Sequence, residues 1–531
     1  MRIRRYGLGA LAVFLSVGMT IGMSVDVASA DTAPVAATKA GQVRGVVSNG
    51  IHVFKGVRYG ATTEGRRFMS PLPPKPWTGV IDALDYGNQS PQAKAGNTSL
   101  FRSWANPRAA SEDLLFLNVW TPGLRDGKKR PVMVWFHGGG HVTGSGSSNA
   151  YEGTRLAKKG DVVVVTVNHR LNTFGYLYLA QLNADPALAD SGNVGNLDMV
   201  LSLQWVRDNI AEFGGDPGNV LIFGESGGGA KVSTLMTMPS ATGLFHRAVV
   251  QSGSSIRVRT PEAATASAKA FMKVLGLQPN QIDELRRLPM QKLVDALDNT
   301  PADANIAFAP VLDGRSLTRH PFDPDAPPAS AKVPLMVGTI KDENTLLIGG
   351  RDPSKFALTW EALPAALKPY TGDLDANALI ADMRKLYPKA AASDVFFTVS
   401  TVRNFRNGAI KQAELKSQQA KLLDSAPAFL YELVWETPVE GGKWKAPHAL
   451  EIGMVFDNVA KSESMSGIGP DQQKIADQMS DAWLKFARTG NPGWPAYDMT
   501  KRPTMVFDVQ SKVVNDFKRD ERVLLSKLPS R

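Results

Sequence analysis

The stretch VLIFGESGGGAK, residues 220–231, constrains the fold more than any other part of the chain. An apolar run ends in Gly224-Glu225-Ser226-Gly227-Gly228, and a helix-compatible segment follows. Of the serines in this chain, only Ser226 has glycine at both −2 and +2. A strand that turns abruptly into a helix crowds the backbone two residues either side of the bend. Glycine tolerates both the crowding and the unusual backbone angles. The serine is then lifted off the end of the strand with its hydroxyl exposed, which is the setting that G-x-S-x-G needs.

The neighbouring sequence extends this unit into an α/β fold. VFKGVRYG (53–60), LLFLNVWTP (114–122), PVMVWFHGGG (131–140), DVVVVTVNHR (161–170), VPLMVGTI (333–340) and PAFLYELVW (427–435) read as strands. Several are continuously apolar, as in parallel strands buried on both faces. Residues 195–217 have helical spacing, with Leu197, Leu201 and Trp205 at i, i+4 and Val206, Ile210 and Phe213 widening the stripe. Gly214, Gly215 and Pro217 stop that helix. Alternating strands and helices predict a mostly parallel, doubly wound central sheet. Helical, more polar segments near 260–305 and 360–425 are expected as insertions over the sheet within a single catalytic domain, 31–531.

A serine hydroxyl needs a base to take its proton, and the base needs a group to orient it. In this type of fold the chain order is serine, acid, histidine. Of the seven histidines, only His246, His320 and His448 follow Ser226. His246 is too close to leave room for an intervening strand, and His320 lies in a polar loop. His448 follows the 427–435 strand through a glycine-rich loop, from which a mobile imidazole could swing in. The acid belongs at a strand end, where KDEN offers both Asp342 and Glu343; position alone allows either. Donors for an oxyanion are expected from WFHGGGH (135–141), namely the amides of Gly139 and Gly140, joined by the amide of Gly227.

Together these residues resemble the type-B carboxylesterase/cholinesterase family of α/β-hydrolases. The likeness runs from FKGVRYG (54–60) through SEDLLFLNVW, WFHGGGH, the 191–229 segment, GLFHRAVVQSG, KDEN and PHALEIGMVF to AWLKFARTGNPGWPAYD (482–498). Within the family it is similar to secreted bacterial carboxylesterases of the p-nitrobenzyl-esterase kind. The resemblance implies Glu343 as the acid, beside Ser226 and His448, with Gly139, Gly140 and Gly227 as the oxyanion hole. It implies Trp104, His141, Glu225, Ile306, Phe308 and Leu346 as substrate-binding residues. Where family members often carry alanine after the nucleophile, this chain has Gly227. Leu346 and Leu450 replace aromatics that a cation–π cage would need, so choline esters are not expected as the chief substrate. Ser90 and Leu114 stand where many members carry a disulfide, in keeping with a chain that has no cysteine.

The implied activity is a serine carboxylesterase acting through an acyl-enzyme, with a small-molecule ester and water as substrates and no cofactor or metal. The alternatives are a non-catalytic, adhesion-type member and an amide or thioester hydrolase using the same triad. The net charge is +10, but the basic residues are scattered, which argues against a nucleic-acid site. Arg2, Arg4 and Arg5, an apolar run to about Met23, and Ala28-Ser29-Ala30 have the build of a cleavable export signal. A periplasmic or extracellular, bacterial location without a stable membrane anchor is therefore expected.

Overall fold

The computed structural model describes residues 33–94, 98–301, 303–423 and 425–529. The expected export signal at 1–30 lies outside them. An 11-stranded sheet organises the described residues. From one edge the strands are Lys512–Asn515, Pro503–Phe507, Ala428–Leu433, Leu335–Ile340, Arg247–Gln251, Gly215–Glu225, Arg130–Phe136, Val163–Val167, Phe116–Thr121, Ile51–Arg58 and Val46–Ser48. The strands from Pro503–Phe507 to Val163–Val167 run parallel; the remaining pairings are antiparallel.

Continuous apolar runs arise because both faces of this sheet are covered. Along Arg130–Phe136, Val132, Val134 and Phe136 enter one buried cluster, while Met133 and Trp135 enter another. Val220 and Ile222 alternate with Leu221 and Phe223 in the same way. Successive side chains on a strand point to opposite faces, so each needs an apolar residue where helices pack on both sides.

Two expectations need adjustment. The run at 114–122 forms Phe116–Thr121, which is antiparallel to both neighbours. It is nevertheless buried on both faces, with Leu117 and Val119 on one side and Trp120 on the other. Double-sided burial, rather than strand direction, makes the run apolar. In the helix Val194–Asn209, Leu197 and Leu201 are only partly buried, whereas Met199 and Leu203 are fully covered. The helix is enclosed on most sides, so its apolar stripe is wider than the i, i+4 series.

The segments near 260–305 and 360–425 are helical. Pro261–Val274, Ile282–Arg287 and Met290–Asp298 pack a small core around Phe271 and Leu285, which Phe68, Phe174 and Leu188 complete. Leu363–Thr371, Ala376–Leu386 and Ala392–Thr401 build another around Met383 and Phe396. Among the described residues, no helix is long and apolar enough to cross a membrane.

Candidate active site

At the carboxyl ends of the parallel strands, Ser226 sits between the strand Gly215–Glu225 and the helix Gly227–Leu235. Its backbone adopts φ 57° and ψ −122°, a strained conformation for a non-glycine residue that concentrates at functional sites. The Ser226 N–H donates to the Gln251 carbonyl at 2.8 Å, tying the bend to the next strand. A β-carbon built on Gly224 would stand 2.6 Å from the Phe136 carbonyl oxygen, and one on Gly228 would overlap the same atom. Both glycines are therefore required by the close pass of the Arg130–Phe136 strand.

Two strands away, Leu335–Ile340 leads into the Asp-Glu pair. Glu343 is fully buried. Its Oε1 accepts the Ile340 N–H at 2.9 Å, and its Oε2 lies 2.5 Å from Nδ1 of His448. Facing a carboxylate, Nδ1 carries the proton and Nε2 is left as the basic nitrogen. Asp342 turns elsewhere: its Oδ2 accepts the Ala446 N–H at 3.3 Å, bracing the loop that carries the histidine. The choice left open by position alone thus falls on Glu343 as the imidazole's partner.

His448 is 3% exposed, held between Glu343 and the Phe405 ring, whose centre is 5.2 Å from its own. Where the sequence suggested a mobile imidazole, the structure shows the ring buried against Glu343 and Phe405. Nε2 lies 3.1 Å from Oε1 of Glu225, the residue before Ser226, but the two are not aligned for a hydrogen bond. Nor does the Ser226 hydroxyl hydrogen-bond to Nε2. Such catalytic bonds commonly tighten only once substrate is bound.

Further buried carboxyls surround this ring. Burial and the Glu343 charge push Glu225 well above the usual carboxylate range. Burial, with Glu225 and Glu343 nearby, does the same to Glu451. In both the shift favours the protonated form, which eases the crowding of three carboxyls in one apolar site. Gln251 Nε2 stands 3.5 Å from Glu451 Oε1, and Trp483 Nε1 donates to Gln251 Oε1 at 3.1 Å. Glu451 was not foreseen; its place three residues after His448 was the available signal.

The glycine loop packs against the serine. A β-carbon on Gly138 would be 3.4 Å from the Ser226 β-carbon, and one on Gly227 would collide with the Gly140 carbonyl. Gly139 and Gly140 have φ of 81° and 62°, the left-handed region that glycine enters without steric cost. Gly139, Gly140 and Gly227 are thus brought together beside Ser226, with Gly227 opening a helix whose N-terminal dipole favours negative charge.

The remaining candidates divide between separate apolar clusters. Trp104 and Leu346 are buried in the cluster that also holds Trp135 and Leu450. Ile306 and Phe308 pack on the core of the first helical insertion, where Phe308 meets the Phe271 ring edge-on at 5.4 Å. His141 packs edge-on against Tyr176 at 4.9 Å. Burial, reinforced by the Lys231 charge, drives its imidazole down to about 3, so it is neutral.

The model of the Carboxylesterase family matches residues 32–524. The chain belongs to that family. It is 36% identical to the para-nitrobenzyl esterase of Bacillus subtilis (strain 168), over 92% of this chain and 98% of that one. It is 33% identical to the fumonisin B1 esterase of Sphingopyxis macrogoltabida, over 93% and 89%. A crystal structure of a Geobacillus stearothermophilus carboxylesterase superposes with a TM-score of 0.82 at 37% identity, covering 92% of this chain and 99% of that one. This carboxylesterase therefore has the α/β-hydrolase fold and is a carboxylic ester hydrolase.

Proposed function

We propose that this carboxylesterase cleaves esters through a Ser226–His448–Glu343 triad and an acyl-enzyme. The observation that carries the reading is the 2.5 Å contact of Glu343 with His448 Nδ1, at the sheet edge where Ser226 occupies its strained bend. Nε2, with no hydrogen bond among the described residues, takes the Ser226 proton as the hydroxyl oxygen attacks the ester carbonyl. The imidazolium is stabilised by Glu343. The amides of Gly139, Gly140 and Gly227 hold the oxyanion. His448 then gives its proton to the leaving alcohol; afterwards it draws one from the water that attacks the acyl carbonyl and returns it to the Ser226 oxygen as the acid leaves.

Retention of serine, histidine and acid together favours this over a non-catalytic, adhesion-type role. Ester cleavage is preferred over amide cleavage because relatives carry the name esterase. Trp104, Leu346, Ile306, Phe308, His141 and Glu225 are proposed to shape the substrate gorge. We propose export as well, on the basic-apolar-small pattern of residues 1–30; N-terminal sequencing of the mature protein tests it.

The triad is tested by Ser226→Ala and His448→Ala, each checked for fold by circular dichroism. Turnover of p-nitrophenyl butyrate should fall roughly 10⁴-fold or more in each. A folded Ser226→Ala protein with near-normal turnover would overturn the reading.

A further inference from the structure

The helix that follows Ser226 carries a lysine where its neighbours are small or apolar. Lys231 is completely buried, and among the described residues its ammonium has one hydrogen-bond partner, the His137 carbonyl at 2.8 Å. An apolar side chain of similar length would fill that space without stripping a charge of water. The position of the bond suggests what the charge is for.

A peptide unit is planar and trans, so fixing its carbonyl oxygen fixes the direction of the N–H on its opposite side. Three consecutive peptides of the glycine loop are fixed this way. The His137 carbonyl, which shares a peptide with the Gly138 N–H, accepts from Lys231. The Gly138 carbonyl, paired with the Gly139 N–H, faces Nδ1 of His137 at 2.9 Å; against a carbonyl that nitrogen must donate. The Gly139 carbonyl, paired with the Gly140 N–H, accepts from the amide of Thr143 at 3.0 Å. Of these three anchors, Lys231 alone comes from the helix that carries the nucleophile. It is the link that ties the loop to the serine.

We propose that Lys231 is a positioning residue for the oxyanion loop, locking the peptides of Gly138–Gly140 in register with Ser226 through the His137 carbonyl. This rests on the reading of those amides as oxyanion donors. Its ammonium also faces the stacked His137 and His169 rings, 4.8 Å apart, and its charge helps to keep both neutral. Neutral His137 keeps its Nδ1–H for the Gly138 carbonyl.

The test compares Lys231→Met and Lys231→Ser with the full-length wild type. Methionine has no donor and the serine hydroxyl is too short to reach the His137 carbonyl, and their different sizes guard against one failing to fold. In whichever variant folds, kcat for p-nitrophenyl butyrate should fall about 10- to 100-fold, with KM within about threefold. Affinity for an alkyl trifluoromethyl ketone, which forms a tetrahedral adduct, should fall by a similar factor. Lys231→Gln, which keeps an N–H donor, should recover part of the loss. Wild-type kcat and ketone affinity in a folded Met or Ser variant would overturn the proposal, as would failure of both to fold while Lys231→Gln shows no loss of stability or turnover. Labelling of Ser226 by an organophosphate keeps the two readings apart. An unlabelled wild type sinks the triad itself, whereas equal labelling rates in wild type and variants sink only the role of Lys231.

Discussion

Glu225 Oε1 lies 3.1 Å from His448 Nε2, on the ring edge opposite the Glu343 contact at 2.5 Å. One imidazole thus stands between two buried carboxyl groups. Glu225 is pushed well above the usual carboxylate range by burial and by the Glu343 charge; Glu343 faces Nδ1, while Glu225 stands beside Nε2.

This asymmetry predicts unequal effects of the same change. Glu343→Gln should lower kcat/KM for p-nitrophenyl butyrate at pH 8 by roughly 10³- to 10⁴-fold, through loss of the orienting charge. Glu225→Gln leaves the Glu343 contact with Nδ1 intact and should cost less than about tenfold. Equal losses would mean that the two carboxyls share one role.

Glu451 predicts a pH-dependent stability. Its folded-state pKa is raised by burial and by Glu225 and Glu343. Below the ordinary glutamate value both folded and unfolded chains hold the proton, and Glu451 has no pH-linked effect. Above it the unfolded chain ionises first, so native stability falls as pH rises toward the folded-state pKa. Glu451→Gln removes this penalty. Denaturant unfolding should show the variant gaining on the wild type as pH rises above the ordinary glutamate value, by up to about 1.4 kcal/mol per pH unit.

Lys231 predicts the opposite slope. Burial lowers its ammonium to about 7. Below that value the charge, and its full burial penalty, is present in the folded state. Between there and the unfolded lysine value near 10, the folded chain has released a proton that the unfolded chain keeps, so stability rises with pH. Lys231→Met should therefore show its largest stability advantage near pH 6–7 and a smaller one at pH 9. A constant difference across that range would contradict the burial of a titrating ammonium.

Gly227 predicts a steric effect. A β-carbon there would collide with the Gly140 carbonyl, so Gly227→Ala has to push the glycine loop away from Ser226. Turnover should drop about 10- to 100-fold, with a stability loss of about 1–3 kcal/mol from overpacking. The measurement is kcat alongside the melting temperature; an unaffected variant would mean that the loop yields without consequence.

The fold was legible where the sequence carried punctuation. Glycines around Ser226 marked the bend because strand and helix backbones pass too closely for a β-carbon. The β-branched run at 163–167 marked a strand covered on both faces. Strand direction at Phe116–Thr121 was not legible, since apolarity reports burial and not pairing. Position left Asp342 and Glu343 equivalent; only the backbone turn sends one side chain to His448 and the other to Ala446. Lys231 and Glu451 went unnoticed because charged residues are usually solvated. Their burial depends on helices and loops brought in from distant parts of the chain.

The central claim is that the hydroxyl at position 226 is the attacking atom. The most direct measurement is reaction of the folded protein with diethyl p-nitrophenyl phosphate, followed by peptide mapping by mass spectrometry. One diethylphosphoryl group per chain is expected, on Ser226, with activity lost in proportion. Inactivation with the adduct on any other residue, or full activity after stoichiometric labelling of Ser226, would contradict it.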